Sequence, residues 1–151
     1  MSRTYGYDSI DGRDVPQRVI SADFVLRGLH EGTIHVEAGL FVLAGKLQGS
    51  LDIQSGARAR IEGEQQGSVH LEQGVDVVVL GKISGSVHVA RGSTLVVEPQ
   101  GTLAGSLANH GTVIVRGVFG GSRSGNGELR LEGTGWVKQP VTKDGIQYYE
   151  W

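Results

Sequence analysis

Three histidines and one aspartate recur at nearly constant spacing in the middle of the chain. His35, Asp52, His70 and His88 follow one another at steps of 17, 18 and 18 residues. If each step is one turn of a coiled chain, the four side chains stack in one column, with neighbouring imidazoles about 5 Å apart. Imidazole and carboxylate groups can ligate a metal ion. Such a column lacks an enclosing shell of second partners, so we expect a solvated polar ladder, with no metal and no other cofactor.

The spacing of this column follows an internal repeat of glycines. The pattern G-x-x-x-G occurs six times at near-constant steps, with the same apolar pattern around each copy. The copies begin at Gly28, Gly45, Gly63, Gly81, Gly101 and Gly117. A repeat of this length is the signature of a solenoid, in which each unit packs against copies of itself.

Apolar residues between the glycines alternate with period two, which predicts strands. No stretch shows the 3.6-residue period of a helix over ten residues. Each repeat carries two strands, such as 50–53 and 59–61, separated by a turn at a glycine such as Gly56, where positive φ costs least. A third short segment lies inside G-x-x-x-G. The sequence therefore predicts an all-β fold: a parallel β-helix, or β-solenoid, of triangular cross-section with about six coils of 16–20 residues, for which the crossover preference favours the right hand.

Both ends of the chain differ from the repeat, and we divide the chain into three parts. Residues 1–18 are a polar, irregular lead-in, residues 19–133 form the solenoid, and residues 134–151 form an aromatic C-terminal cap or hairpin. The dipeptide Asp144-Gly145 between apolar segments is a hairpin signal. An aromatic lid can close the raw end of a solenoid, and the residues that we expect to form it are Trp136, Tyr148, Tyr149 and Trp151.

The composition excludes several classes of protein. With 14 basic and 16 acidic residues the net charge is −2, which does not favour a nucleic acid or an anionic membrane as partner. The absence of cysteine excludes disulfides and thiolate chemistry. The N-terminal residues lack the apolar core of a signal peptide, and no window is long and apolar enough for a membrane span. We expect a soluble cytoplasmic protein.

A second outward column is apolar where a solvent-facing column should be polar. Contiguous exposed apolar surface commonly marks a partner site, although high β-propensity or coverage by residues 1–18 would also explain it. The column consists of Val25, Val42, Arg60, Val78, Val96, Ile114 and Arg130. We expect it to bind a protein partner or a second copy of the chain.

Smaller columns have structural interpretations. Lys46, Glu64 and Lys82 should form an alternating-charge ladder that favours the correct register, each pair contributing about 0.2–1 kcal/mol. Gln65 and Asn109 fall at inward positions where apolar residues are expected. We interpret these two as core amides with satisfied hydrogen bonds.

The repeat resembles that of the bactofilins, bacterial cytoskeletal proteins with a right-handed triangular β-helix. The likeness lies in G-K-[LI]-x-G-S-[LV]-x-[IV] at 45–53 and 81–89 and in G-E-Q-Q-G-S-V-H-L at 63–71, and it covers roughly residues 20–120. It implies a structural role, since bactofilins stack end to end into nucleotide-free filaments and recruit other proteins. The chain departs from that family in its aromatic C-terminal segment, which would block such stacking if it closes the end.

Three functions follow from these features, in order of preference. The first is a non-catalytic scaffold or protein-interaction module of the bactofilin kind. The second is a small cytoplasmic inhibitor, such as an immunity protein that neutralises a toxin through the apolar column. The third is an enzyme resembling the left-handed β-helix acyltransferases. No nucleophile lies beside a base and no carboxylates cluster, so we assign no catalytic residues and expect no small-molecule substrate.

Overall fold

The structure, a computed structural model of the chain, describes residues 7–10, 13–16, 18–137, 141–143 and 146–148. Side chains are described for residues 18–137. All regular elements in these ranges are strands. These ranges contain no helix that is long and apolar enough to span a membrane. In chain order the strands are β1 Tyr7–Ile10, β2 Arg13–Pro16, β3 Arg18–Ile20, β4 Phe24–Leu26, β5 Leu29–Glu31, β6 Ile34–Val36, β7 Gly39–Leu43, β8 Lys46–Gln48, β9 Leu51–Ile53, β10 Ala57–Ile61, β11 Glu64–Gln65, β12 Val69–Leu71, β13 Asp76–Val79, β14 Lys82–Ile83, β15 Val87–Val89, β16 Thr94–Val97, β17 Thr102–Leu103, β18 Leu107–Asn109, β19 Thr112–Val115, β20 Val118–Phe119, β21 Arg123–Ser124, β22 Glu128–Leu131, β23 Trp136–Val137, β24 Val141–Lys143 and β25 Ile146–Tyr148.

Three parallel sheets of seven strands each form a β-solenoid with a triangular arrangement. Sheet 1 contains β3, β6, β9, β12, β15, β18 and β21. Sheet 2 contains β4, β7, β10, β13, β16, β19 and β22. Sheet 3 contains β5, β8, β11, β14, β17, β20 and β23. Each turn of the chain, here called a rung, adds one strand to every sheet, and this confirms the predicted fold class.

The solenoid has seven rungs, against about six predicted from the glycine pattern. The seventh is the rung of β21, β22 and β23, in which the G-x-x-x-G pattern has ended but parallel pairing continues: Leu129 pairs with Val113 and Val137 with Phe119. The chain therefore keeps winding beyond the last recognisable repeat, and β23 lies past the predicted solenoid boundary at residue 133. The right-handed winding stays a prediction.

The core is the stack of inward side chains between the three sheets. Alternate residues of each strand point inward, and those of the central rungs are fully buried, as for Phe41, Leu51, Ile61, Val79 and Leu103. The inward residue of each G-x-x-x-G segment joins this stack, since Leu47, Gln65 and Ile83 pair in register. The predicted inward and outward parities of the strands are confirmed.

Two kinds of glycine hold the rungs at their spacing. Most of those of the repeat stack on the glycine of the previous rung, and a Cβ on Gly63 would lie only 1.9 Å from the backbone oxygen of Gly45. The turn glycines have positive φ, which is 91° at Gly56, as predicted. Gly111 is an exception: it is not among the glycines with positive φ, and a Cβ there would lie 2.5 Å from the oxygen of Ala90. Close approach of neighbouring rungs therefore explains most of the repeat glycines.

An antiparallel pair of strands precedes the solenoid and another follows it. β1 pairs with β2 within residues 7–16, where the sequence predicted an irregular lead-in. β24 pairs with β25 on either side of Asp144-Gly145 in the sequence, as the hairpin signal predicted. The side chains of these four strands lie outside the described residues, so the closing of the solenoid end by the C-terminal segment stays a prediction.

Candidate functional site

The predicted polar column forms on the outward face of sheet 1. His35, Asp52, His70 and His88 lie in register on successive strands. His35 Nδ1 lies 3.0 Å from Asp52 Oδ2, and the rings of His70 and His88 stack with centroids 4.6 Å apart and planes 3° from parallel. His35 is only 9% exposed although it points outward. The column is thus two pairs, one hydrogen-bonded and one stacked. Only the stacked pair, His70 and His88, is exposed to solvent as predicted.

The electrostatics of the column differ between its two pairs. Burial of the ring, together with the neighbouring His88, lowers the pKa of His70, whereas the Asp52 carboxylate raises it. The net effect is a lowered pKa, so the His70 ring favours its neutral form. The stacked pair is therefore suited to neutral imidazoles and poorly suited to two imidazolium ions.

A groove of about 820 Å³ runs across this face of sheet 1. The polar column forms part of its lining, and other polar side chains come from the turns beside the sheet, among them Ser55, Glu72, Gln73 and His110. Within residues 18–137 no three His, Asp or Glu side chains are grouped so that they could hold a metal ion. The groove therefore provides solvent access and hydrogen-bonding groups.

A column of hydroxyl residues beside the histidines escaped the sequence analysis. One serine or threonine follows the second glycine of every repeat, and its backbone carbonyl accepts a hydrogen bond from the next residue of the previous rung, as Ser68 does from Leu51. The members are Thr33, Ser50, Ser68, Ser86, Ser106 and Ser122. Ser122 also donates to Ser106 Oγ at 3.0 Å. The recurrent G-S dipeptide was the available signal.

The apolar column lies in register along the whole of sheet 2. Val25, Val42, Arg60, Val78, Val96, Ile114 and Arg130 occupy matching positions on its seven strands. Val25 is 46% exposed, whereas Val42, Val78, Val96 and Ile114 are half-buried. Arg60 Nε donates to Glu62 Oε2 at 2.6 Å. The structure therefore brings the predicted residues together, in a shallow strip that its own neighbours partly cover.

The most exposed large apolar side chains lie at the two ends of the solenoid. Leu29, 59% exposed, joins Val25 on the first rung, and Leu131 and Trp136, 54% and 55% exposed, lie on the last rung. Sequence analysis did not find this feature. The inward position of Leu131 is the same position that is fully buried at Val115 on the rung before.

The residues predicted to form the C-terminal cap fall in different places. Trp136 belongs to the last rung, where it pairs with Val118 at an outward position of sheet 3. Tyr148 lies on β25, whose side chains are outside the described part, and Tyr149 and Trp151 lie outside the described residues.

Charged side chains form ladders at the edges of the sheets. Lys46, Glu64 and Lys82 lie in register as predicted, but Glu64 Oε1 accepts a hydrogen bond from Gln66 at 3.0 Å. A more extensive ladder was missed. Arg116 contacts Glu98 on the rung before and Glu132 on the rung after, each at 3.1 Å. This arginine joins the last three rungs at the corner between sheets 2 and 3.

The two interior amides differ in how well their hydrogen bonds are satisfied. Asn109 Nδ2 donates to the Glu128 carbonyl at 2.9 Å, and its Oδ1 accepts from the Gly111 amide at 3.0 Å. Gln65 Nε2 donates to the carbonyls of Gly49 and Gly67, but Gln65 Oε1 is buried without a partner in the described structure. The prediction of satisfied core amides is confirmed for Asn109 and only half correct for Gln65.

Comparison with protein families, with curated proteins and with solved structures found no match to this chain. The fold is thus a β-solenoid by its own strand pairing. Its function has to be argued from its surfaces.

Proposed function

We propose that the protein is a non-catalytic structural solenoid that associates with a second copy of itself through its last rung. The observation that carries this proposal is the exposure of Leu131 and Trp136 on a rung whose strands β21, β22 and β23 end their sheets. Terminal strands present unpaired backbone groups that can pair with another chain, and in this proposal a second copy occupies the end of the core where the sequence analysis expects the C-terminal segment. The resemblance of the repeat to that of the bactofilins supports a structural, non-catalytic role, while the closed pair proposed here differs from their filaments.

The first rung is less suited to such pairing. Its inward residues Ile20 and Leu26 are 5% and 8% exposed, and its exposed apolar side chains, Val25 and Leu29, lie at outward positions. The guanidinium of Arg18 also lies 4.5 Å above the ring of Phe24. Inward apolar surface is thus more available for association at the last rung, through Leu131, than at the first.

Two arginines also disfavour the stacking of a last rung on a first rung. Arg18 pairs with Ile34 and Arg123 pairs with Leu107, so both occupy the inward column of sheet 1 at its two ends. Continuous stacking would place Arg123 against Arg18 of the next copy. Inward-pointing charges on edge strands are a known protection against open-ended pairing. We therefore expect a closed pair of last rungs and no long filament.

Glu128 and Arg130 of β22 form an ion pair within the strand, with Arg130 Nε 2.8 Å from Glu128 Oε1, and the same two charges are complementary across a two-fold axis. Antiparallel pairing of two β22 strands about a two-fold axis at Leu129 places Glu128 opposite Arg130 of the second copy, twice. Opposite charges at directly paired positions stabilise a sheet, and like charges destabilise it. Pairing centred on Arg130 would place arginine against arginine. The same axis exchanges sheets 1 and 3, so the inward Arg123 faces β23 of the second copy and does not meet another arginine.

Charge exchange on β22 tests this proposal. We expect sedimentation and light scattering to give twice the 16.0 kDa mass of the chain at micromolar concentration and low salt. Glu128→Arg and Arg130→Glu should each weaken association about tenfold or more, and the double exchange should restore it. Arg60→Glu, on a central strand of the same sheet, is the matched control and should leave association unchanged.

Three results would contradict the proposal. They are a strictly monomeric parent protein, long unbranched filaments in electron micrographs, and a double exchange that behaves like the single variants.

A second candidate function, inhibition of a protein partner such as a toxin, is favoured by the apolar column of sheet 2. Its half-buried valines lie in one column along the face, interrupted by Arg60 between Val42 and Val78, and exposed apolar surface of this kind can dock a partner. Val42→Asp and Val78→Asp both change outward side chains, so the fold should tolerate them. If either variant captures from the native lysate the same partner as the parent, this strip is not the docking face.

A further inference from the structure

The stacked histidines of sheet 1 lie so close together that positive charges on both rings would repel each other. The rings of His70 and His88 have centroids 4.6 Å apart on the adjacent strands β12 and β15. Neutral imidazoles stack favourably at this distance. Two imidazolium ions at the same distance repel each other, although solvent screens part of the repulsion because both residues are exposed. The contact therefore depends on the protonation state.

The charged groups around the pair give it little compensation. On the strand before, Asp52 faces His70, but its carboxylate already contacts His35 Nδ1 at 3.0 Å. On the strand after, Ala108 faces His88 and carries no charge. Beside the sheet, Glu72 and His110 line the same groove. A proton on His88 therefore has a histidine on one adjacent strand and an alanine on the other.

We propose that the His70–His88 pair is a proton-sensitive element of the solenoid, which binds its second proton more weakly in the folded state than when strands β12 and β15 separate. The groove leaves the pair accessible to solvent, so protons reach it without global unfolding. Mildly acidic conditions then weaken the central rungs selectively. This inference is independent of association through the last rung.

The sign of the effect follows from the environment of His70. Burial of the ring, and then His88, lower its pKa in the folded state below the value of about 6.5 that an unfolded chain would have. The unfolded state therefore binds more protons as the pH falls. The stability that the neutral pair contributes is complete above pH 6.5 and is lost as the pH falls from there through the lowered pKa of the folded state.

Proton resonances of the imidazoles, followed by NMR from pH 8 to pH 4.5, test the first half of the proposal. We expect the pair to titrate in two steps separated by about one pH unit or more. In His88→Gln, His70 should titrate in a single step with a midpoint above the lower step of the parent protein. Two identical, independent titration curves in the parent would overturn the proposal.

Urea unfolding at pH 7.5 and pH 5.5 tests the second half. The urea concentration at the midpoint of unfolding should be lower at pH 5.5 than at pH 7.5 for the parent protein. For His88→Gln it should fall by less than half as much. His110→Gln is the matched control, because His110 lies outside the stack and contacts Asn126; it should lose as much as the parent. Equal losses in all three proteins would show that the stack is not the sensitive element.

Discussion

Leu131 lies in register on Val115 in sheet 2, yet Val115 is fully buried and Leu131 is 54% exposed. The two residues occupy the same inward column, one rung apart. The difference arises because Val115 has a rung on each side, whereas in the described structure no further strand of sheet 2 follows β22. One column therefore contains both ordinary core and the candidate surface for association.

This relationship predicts different costs for the same substitution at two places in one column. Leu43 is fully buried, and Leu43→Ala should lower the free energy of unfolding by about 2–5 kcal/mol, because it removes buried methyl groups and leaves a cavity. Leu131→Ala should cost less than about 1 kcal/mol at concentrations where the protein is monomeric. Chemical denaturation of both variants measures the difference, and equal costs would mean that the last rung is buried in solution.

Glycine substitutions should separate close approach from backbone conformation. Gly63→Ala places a methyl group 1.9 Å from a backbone oxygen, so the rungs would have to move apart, and we expect loss of cooperative folding. In Gly56→Ala the new methyl group has no atom within 4 Å, so only the positive φ is unfavourable. We expect it to lower the free energy of unfolding by about 1–2 kcal/mol. Circular dichroism melts of the two variants check the order. A well-folded Gly63→Ala protein would contradict the stacked-glycine arrangement.

Replacing the two interior amides should have different effects. Gln65 stacks between Leu47 and Ile83, and Gln65→Leu removes a buried oxygen without a partner but also the hydrogen bonds that Nε2 donates to the Gly49 and Gly67 carbonyls. These two changes oppose each other, so we expect stability to change by less than about 1 kcal/mol. Asn109→Leu removes the partners of the Glu128 carbonyl and the Gly111 amide, and it should cost about 1–3 kcal/mol. Urea midpoints measured in parallel test the contrast, which fails if Gln65→Leu costs as much as Asn109→Leu.

The ladder at Arg116 should contribute modestly and in a salt-dependent way. Arg116 contacts Glu98 and Glu132, and all three side chains are partly exposed. Arg116→Met keeps much of the aliphatic packing and removes the charge, so it should cost about 1 kcal/mol or less at low salt. The difference from the parent should shrink at 1 M salt because the charges are screened. A difference that does not depend on salt would indicate a packing role.

Some features absent from the sequence analysis had a signal that was available. Strands β1 and β2 flank Asp11-Gly12 in the sequence, the same dipeptide that predicted the pairing of β24 with β25. The seventh rung had a partial signal: the alternation of Glu128, Leu129, Arg130 and Leu131 predicts a final strand within the solenoid, whereas β23 lies past the predicted boundary and follows no glycine pattern. Backbone hydrogen bonds can extend a sheet without a repeated side chain.

The sequence alone determined the strand period, the inward and outward parities and the registers that place His35 beside Asp52 and His70 beside His88. These properties are encoded locally, because alternation sets the face of a strand and the glycine spacing sets the length of a rung. Only the tertiary structure decided which members of a column are exposed, as with Leu131 and Val115, and that the outward His35 is buried. Exposure and side-chain pairing depend on which other segments lie against a residue, and no local pattern contains that information.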